Sequence, residues 1–352
     1  MLNALCLTIL VVFSATMAFG AIRARRSKRR ILKWGVASLA GFAAGAFALP
    51  AALMVAGLGK SQARHAPAPD IRVATTPGRV HRGQAIASAF CGACHSSEGT
   101  LSGGRDLGAH FPMPIGRFIA ANLTPAGQLT RWSDGEIFRA IRNNVDADGH
   151  WLMIMSLTNV GKLSDDDIQA LIAYIRNVPA AGRPTPNPPD ELNPLGLAML
   201  GAGQLPTGKP VFTGAIAAPH KAATAEYGAY ILSYHDCRTC HGADLAGGVP
   251  GQIGAIGPSL AVVKGWKLEE FIATLRNGVD PNGYALDSNR MPCVRSARWM
   301  MKNWAQYTPI SNVWRIPQML LRTKGRSRGP GRTPWRFSAG IHRIALALAQ
   351  TV

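Results

Sequence analysis

The chain has 352 residues, enough for two or three compact domains, and a formal net charge of +19. The excess of basic over acidic residues lies between Arg23 and Lys33 and again after Pro292, so the long stretch between these clusters is nearly neutral. A nucleic-acid partner is excluded, because phosphate binding needs Lys and Arg spread over a folded surface. Six cysteines are too few for a disulfide scaffold in a chain of this length.

Residues 1–60 are predicted to anchor the chain in a membrane. Residues 2–22 and 34–59 carry no charge, and each run has the roughly 20 residues that a bilayer-spanning helix needs. The basic cluster between them should stay in the cytoplasm, which places the chain after Lys60 on the periplasmic side of a bacterial cytoplasmic membrane. In one alternative, translation starts at Met17 and only the second run spans; in another, cleavage follows the second run. Every version predicts export.

From about Pro77 onward the sequence favours amphipathic helices separated by Gly- and Pro-rich loops, with no alternating strand pattern. A repeat is also present. Each copy has a C-x-x-C-H motif (Cys91–His95 and Cys237–His241), followed by the related segments RNNVDADG and RNGVDPNG. We therefore predict an all-α fold, with two tandem domains behind one or two membrane helices. The predicted boundaries are a first domain at 77–180, a Pro-rich linker at 181–224 and a second domain at 225–292.

Two helix starts in the first domain can be predicted from local chemistry. Ser133 and Glu136 have the spacing of a capping box, in which each side chain satisfies a backbone donor of the other residue. Ser164 precedes three aspartates, which favour the positive end of a helix dipole. The helix after Ser164 should end at Pro179, and its apolar stripe is predicted to be core: Ile168, Leu171, Ile172 and Ile175.

The C-x-x-C-H motif is the attachment signature of c-type haem. Two thiols three residues apart can both reach the vinyl groups on one edge of a porphyrin, and the adjacent histidine is then directed at the iron. A thioredoxin-type redox motif or half of a zinc site would use a similar cysteine pair, but neither explains a following histidine in both copies. We predict two covalently bound haem c groups, each with its iron, held by these residues: Cys91, Cys94, His95, Cys237, Cys240 and His241.

Electron transfer requires a sixth ligand on each iron, and methionine opposite histidine raises the reduction potential. In the first domain the candidates are Met153 and Met155, with Met113 further away. The position of Met155 after the Asp-Gly turn favours it, although a methionine can also simply fill core space. In the second domain Met291 precedes a proline after a polar loop, which is typical of a ligand loop. Met155 and Met291 are therefore the predicted sixth ligands.

Residues 77–292 resemble the class I c-type cytochrome superfamily, in particular membrane-anchored di-haem cytochromes similar to the cytochrome subunits of periplasmic dehydrogenases. Besides both C-x-x-C-H motifs, the matching segments are ANLTP (121–125), WSDGEIFRAIRNNV (132–145), LSDDDIQALIAYIRNVP (163–179) and Met291-Pro292. The resemblance implies helical domains around each haem, thioether links to the cysteine pairs, and His95 and His241 as proximal ligands. The chain departs from the family at Met155, which serine follows instead of proline.

These features predict an electron carrier and not an enzyme, in the form of a cytochrome subunit of an oxidoreductase complex or of a separate membrane protein. Electrons would pass one at a time from a dehydrogenase or quinol-linked donor to a terminal oxidase or soluble cytochrome. An alternative is catalysis at haem, as in di-haem peroxidases or thiosulfate-oxidising cytochromes, which needs an iron with an open site. A haem-based sensor or assembly factor is the third possibility, and the sequence has no output domain for it.

Residues 293–352 form an atypical basic tail where a closing helix is expected. The tail has no acidic residue and no helical period, and it is rich in Trp and Arg. Restoring one base at codon 293 in a back-translation yields a segment with an acidic start and an apolar stripe, so we hypothesise that the tail is frameshifted. The alternative is a genuine basic tail that contacts anionic lipid.

Resequencing the genomic DNA across codon 293 tests this hypothesis. We expect a one-base difference that restores the closing helix. An unambiguous reading in the present frame would contradict a sequencing slip and leave only a frameshift present in the gene itself.

Overall fold

The computed structural model describes residues 1–62, 64–96, 100–222, 224–234, 237–250, 256–287 and 290–291. The predictions for Pro292 and for the tail at 293–352 lie outside the described residues. Within the described part the chain is mostly helical, with two long apolar helices at the N-terminus, as the sequence predicts.

Helices dominate the order of elements. The α-helices are α1 (Leu2–Arg25), α2 (Ala37–Ser61), α3 (Pro77–Ile86), α4 (Gly92–His95), α5 (Asp134–Asn143), α6 (Met153–Leu157), α7 (Asp165–Asn177), α8 (Pro194–Gly201), α9 (Ala225–Tyr234), α10 (Cys237–His241) and α11 (Leu268–Asn277). Turns of π-helix cover Leu32–Val36 and Ala87–Cys91. Turns of 3₁₀-helix cover Gly108–His110, Gln128–Arg131, Val160–Lys162 and Leu260–Gly265. The two strands are β1 (Gly116–Phe118) and β2 (Asp190–Leu192).

Helices α1 and α2 pack against each other as a hairpin. The Ser14 hydroxyl donates to the Ala44 carbonyl at 3.0 Å, and the ring centroids of Phe13 and Phe47 are 5.5 Å apart. Both helices are long and apolar enough to cross a membrane. Their outward faces expose large apolar side chains, a surface that indicates contact with lipid or with another protein: Leu2, Leu5, Ile9, Val12, Phe19, Leu39, Phe42 and Leu49.

Two elements lie inside the segment predicted as a Pro-rich linker. Strand β2 pairs antiparallel with β1, with Leu192 opposite Gly116. Helix α8 follows, and the Asn193 side chain caps it by accepting from the Gly196 N–H at 2.9 Å. Leu200 of α8 is fully buried in a core cluster that also contains Ile115, Phe118, Trp151 and Met153. The segment at 181–224 therefore contributes to packing, which the sequence did not predict.

The predicted helix starts of the first domain are confirmed. Ser133 and Glu136 form a reciprocal capping box at the start of α5, and the Ser164 hydroxyl accepts from the Asp167 N–H at 3.2 Å. The predicted apolar stripe of α7 is buried throughout, and α7 ends at Asn177, two residues before Pro179. The Arg176 guanidinium joins α7 to the start of α5 by donating to the Asp134 carboxylate at 3.0 Å.

The described chain divides into two compact units. One contains Met1–Val80, Cys94–Lys162 and Ile168–Ala215; the other contains His81–Ala93, Leu163–Asp167 and the described residues from Ile216 onward. Two short segments of the predicted first domain therefore group with α9, α10 and α11.

A buried polar cluster inside the second of these units explains this grouping. Arg82 of α3 forms a bidentate ion pair with Asp167 of α7, with both N–O distances at 2.8 Å. Arg82 also donates to the Tyr227 hydroxyl at 3.0 Å, and the Tyr230 hydroxyl donates to Asp167 at 2.6 Å. Burial by itself would lower the pKa of Arg82, but the Asp167 carboxylate outweighs this and the net shift of the pKa is upward.

This cluster yields a stability prediction with a matched control. Arg82 and Asp167 are 19 % and 8 % exposed, whereas Arg117 and Glu191 form a 3.8 Å pair with 59 % and 67 % exposure. We expect Arg82→Met to lower the free energy of unfolding by about 3 kcal/mol, because it leaves a buried carboxylate without its partner. Arg117→Met should change it by less than about 0.5 kcal/mol.

Denaturant titration of the full chain in detergent, followed by visible absorption, measures both variants. Equal shifts of the unfolding midpoint for Arg82→Met and Arg117→Met would show that the buried pair adds no more than a surface pair.

Candidate haem-binding site

Helical backbone positions both C-x-x-C-H motifs. In the first copy a π-helical turn at Ala87–Cys91 runs into α4, and in the second copy the whole motif forms α10. Residues three positions apart lie on the same side of a helix, so each cysteine pair is presented together. All four cysteine side chains are partly buried, which suits covalent attachment to a group that the domain encloses.

The histidine of each motif is oriented by a backbone carbonyl. The Nδ1 atom of His95 lies 2.8 Å from the Ala121 oxygen, and Nδ1 of His241 lies 2.8 Å from the Pro258 oxygen. A carbonyl can only accept, so Nδ1 carries the hydrogen and Nε2 keeps its lone pair for a metal. Histidines that bind metals are typically oriented in this way.

His95 is also prepared for iron by its protonation state. Burial lowers the pKa of His95, and the hydrogen bond with Ala121 offsets only part of that shift. The imidazole is therefore neutral at pH 7, which is the form that binds a metal.

The loop that holds the Ala121 carbonyl is fixed by Asn122. The Asn122 side chain accepts from the N–H and hydroxyl of Thr124, each at 2.8 Å, and donates to the Ala181 carbonyl at 2.8 Å. Asn122 and Thr124 are both fully buried. The ANLTP segment thus places a carbonyl beside the histidine, a role that the sequence did not reveal.

A glycine has the corresponding role at the second histidine. A Cβ atom on Gly257 would lie 2.8 Å from Nδ1 of His241, closer than real Cβ contacts come. The Gly257 N–H donates to the Cys240 carbonyl at 2.8 Å, which holds this loop against the motif. Only glycine therefore allows the Pro258 carbonyl to approach the ring.

The turn that precedes each predicted methionine ligand is built identically in the two copies. Asp146 accepts through one carboxylate oxygen from the N–H groups of Asp148 and His150, and Asp280 accepts in the same way from those of Asn282 and Tyr284. The side chains of Asp146, Asp148 and His150 lie close enough to hold a metal ion. The second copy forms the same turn with Asn282 and Tyr284 in place of Asp148 and His150. Hydrogen bonding within the turn therefore explains why these three side chains lie together in the first copy.

The structure separates the methionine candidates of the first copy by burial. Met153 is 2 % exposed and packs with Phe118 and Leu200 in the core cluster, whereas Met155 is partly buried on the same short helix. Met113 is 43 % exposed. Of the two methionines on this helix, Met155 is therefore the less buried, which agrees with its prediction as the sixth ligand. In the second copy Met291 is also partly buried, and its N–H donates to the Asp287 carbonyl at 2.8 Å.

Asp190 of β2 supports the methionine segment. Its carboxylate accepts from the Ile154 N–H at 3.3 Å, between Met153 and Met155. Burial, with a smaller contribution from the charge of Asp146, raises the pKa of Asp190 to about 6 despite backbone hydrogen bonds that lower it. No local pattern in the sequence marks this residue, because its partner is 36 positions away.

Three tyrosines that the sequence analysis did not single out precede the second motif. Tyr227, Tyr230 and Tyr234 occupy one face of α9, immediately before Cys237, with neighbouring ring centroids 5.9 Å and 5.2 Å apart. Their spacing of three and four positions is the helical pattern of a buried face, and that pattern was available from the sequence. His235 of the same region lies outside the described residues.

The residues present fit a covalently attached haem. In both copies a helical turn presents two partly buried thiols, and a carbonyl orients the following imidazole with Nε2 left for a metal. The first copy adds a partly buried thioether at Met155. When bound, the haem iron supplies one-electron redox chemistry.

Met155 and Met153 form a matched pair for testing the sixth ligand. We expect Met155→Ala to change the visible spectrum and lower the reduction potential, because loss of the thioether removes the ligand that raises the potential. Met153→Ala should lower the free energy of unfolding by about 2–5 kcal/mol through a core cavity and leave the potential nearly unchanged. Spectroelectrochemical titration measures both, and an unaltered potential in Met155→Ala would remove Met155 as the ligand.

Comparison with known proteins agrees with this geometry. The Cytochrome c family model matches residues 80–179. The chain is also 33 % identical over 102 residues to one of the subunits of nicotinate dehydrogenase from Pseudomonas putida, a match that covers 27 % of this chain and 8 % of that protein. The chain thus corresponds to a small part of that relative. Residues 80–179 therefore match a cytochrome c domain, which implies covalently bound haem in this part of the chain, and the chain is similar over 102 residues to a dehydrogenase subunit.

Proposed function

We propose that the chain is a membrane-anchored di-haem cytochrome c that transfers single electrons on the periplasmic side of a bacterial cytoplasmic membrane. The observation that carries the proposal is the same histidine orientation at both motifs, with Nδ1 at 2.8 Å from a backbone carbonyl in each. The matching turns that precede Met155 and Met291 also support a second haem domain, at residues 225–292.

The proposed ligands have distinct roles in each domain. Cys91 and Cys94 bind the first haem and Cys237 and Cys240 the second, each pair through thioethers. His95 and His241 are the proximal ligands, and their orientation is set by protein carbonyls. Met155 and Met291 are the sixth ligands of the two irons. Because neither iron then has an open site, this coordination favours electron transfer over catalysis at the iron.

The proposed membrane arrangement follows from α1, α2 and the charge cluster between them. Both helices are apolar and long enough to span, and the basic residues joining them favour the cytoplasmic side. The domains after Lys60 then face the periplasm. This location suits exchange of electrons between a membrane-linked dehydrogenase or quinol-linked donor and a terminal oxidase or soluble cytochrome. Similarity to a dehydrogenase subunit supports a dehydrogenase as donor.

The intact mass of the full chain tests the haem count. The chain is produced with c-type haem maturation machinery, purified in detergent and denatured before weighing. We expect the mass of the polypeptide plus two haems, because both motifs are helical and both histidines are oriented for iron. The control Cys237→Ser/Cys240→Ser should retain one haem.

The other outcomes are equally informative. One haem in the unaltered chain would contradict the second haem domain and leave a mono-haem cytochrome. A mass without haem would overturn the proposal. The two cysteine pairs would then be interpreted as redox-active thiols or zinc ligands.

A further inference from the structure

Helix α8 packs closely against the C-terminal part of α2. A Cβ atom on Gly57 of α2 would overlap the Leu197 carbonyl oxygen, and one on Gly201 of α8 would overlap the Leu53 carbonyl oxygen. The two glycines therefore allow the two backbones to touch, as small residues do between membrane helices. The Lys60 ammonium donates to the Leu200 and Gly201 carbonyls at 3.1 Å and 2.8 Å, which satisfies the C-terminal end of α8.

The other helix of the hairpin reaches the same place. The Asn3 side chain, at the beginning of α1, donates to the Leu192 carbonyl at 2.8 Å, two residues before α8 begins. Helix α8 thus lies across the end of the hairpin that is opposite to the basic cluster.

Counting along the two helices gives the depth of α8 in a bilayer. A hydrocarbon core takes about 20 helical residues. Counted from Trp34, which follows the last basic residue of the cluster, this length ends at Leu53; counted back from Ile22, it ends at Asn3. Asn3 is where α1 contacts Leu192, just before α8. Leu53 is the innermost position where α2 contacts α8, and this contact continues outward to Gly57 and Lys60. Both counts place α8 at the boundary between acyl chains and headgroups.

The composition and exposure of α8 agree with that depth. Its sequence, PLGLAMLG, has no charged residue, and no charge occurs from Leu192 to Gly208. Leu195 is 45 % exposed on the protein surface. The neighbouring loop Pro112–Pro114 is joined to α8 because Asn193 donates to the Pro114 carbonyl at 2.5 Å, and in this loop Met113 is 43 % exposed. We name α8 together with Pro112–Pro114 the interfacial patch.

We propose that the interfacial patch inserts into the outer leaflet of the bilayer and thereby holds the first haem domain against the membrane surface. The proposal rests on the proposed membrane hairpin. The bilayer is the expected partner because the patch is continuous with the spanning helices and apolar at the depth where they end. A haem domain joined to the anchor by a free linker would sample many heights above the membrane. The interfacial patch instead holds the first haem domain at a single height.

Labelling of single cysteines in the full chain tests the proposal. Cys6→Ala and Cys293→Ser remove the cysteines outside the haem motifs. In that background Leu195→Cys is compared with Val211→Cys. The two native side chains are similarly exposed, Leu195 at 45 % and Val211 at 40 %. The chains are reconstituted in phosphatidylcholine vesicles and treated with a membrane-impermeant maleimide. We expect Leu195→Cys to react at least about tenfold more slowly than Val211→Cys in vesicles and equally fast after denaturation, because water is scarce at acyl-chain depth.

Two further measurements separate the possible failures. Alkaline carbonate washing tests the hairpin: release of the chain from the vesicles would overturn both the anchor and the patch, whereas retention with equal labelling rates would overturn the patch only. A phosphatidylcholine with a diazirine on its acyl chain should crosslink to the peptide that contains Leu195. Crosslinks of this lipid to peptides of α1 or α2, with none to the peptide that contains Leu195, would also overturn the proposal.

Discussion

The hydrogen bond between a histidine Nδ1 and a backbone carbonyl is the interaction on which both sites depend. It selects the tautomer and aims Nε2, and it exists only if a loop distant in sequence holds its carbonyl in place. In the first copy the buried Asn122 holds the carbonyl in place through its hydrogen bonds with Thr124 and Ala181. In the second copy Gly257 lets the carbonyl approach by leaving room beside the histidine ring. Two different sequences thus produce one geometry.

Much of this architecture could be predicted because its signals are local. The C-x-x-C-H motifs, the Ser133–Glu136 capping box and the apolar stripe of α7 each depend on only a few neighbouring residues. The structure contains the helices that the capping box and the stripe predict. Helix α8 and strand β2 could not be predicted, because the prolines around them indicate a linker. Their structure depends on contacts with Ile115, Phe118 and α2, which are far away in sequence.

The same distinction applies to the site. Sequence alone favours Met155 over Met153 as the sixth ligand only by its position after the Asp-Gly turn. Burial of Met153 in the core cluster gives a second reason to prefer Met155, and that burial is a property of the packed domain. Arg82 and Asp190 carry no local signal, because an isolated charge in a sequence is usually on the surface. Only the fold shows that Arg82 faces Asp167 and that Asp190 supports the Met155 segment.

The two copies are alike around the histidine and different around the methionine. Met155 follows the glycine of its turn by six positions and Met291 follows its glycine by eight, although the turns have the same hydrogen bonds. Different loop lengths on an identical frame imply unequal surroundings for the two sulfur atoms. Under the proposed function, two unequal irons give electrons a preferred direction, which two identical irons would not.

The Arg82–Asp167 pair also has a consequence for the order of assembly. Helix α9 packs its tyrosines on this pair, and the second C-x-x-C-H motif begins three positions after Tyr234 in the sequence. Under the proposed function, a chain exported from its N-terminal side presents Arg82 and Asp167 before α9 emerges. The first domain would then act as a template for α9, the helix that precedes the second motif. Damage to the first domain would therefore impair maturation of both domains, whereas loss of the second motif would leave the first able to mature.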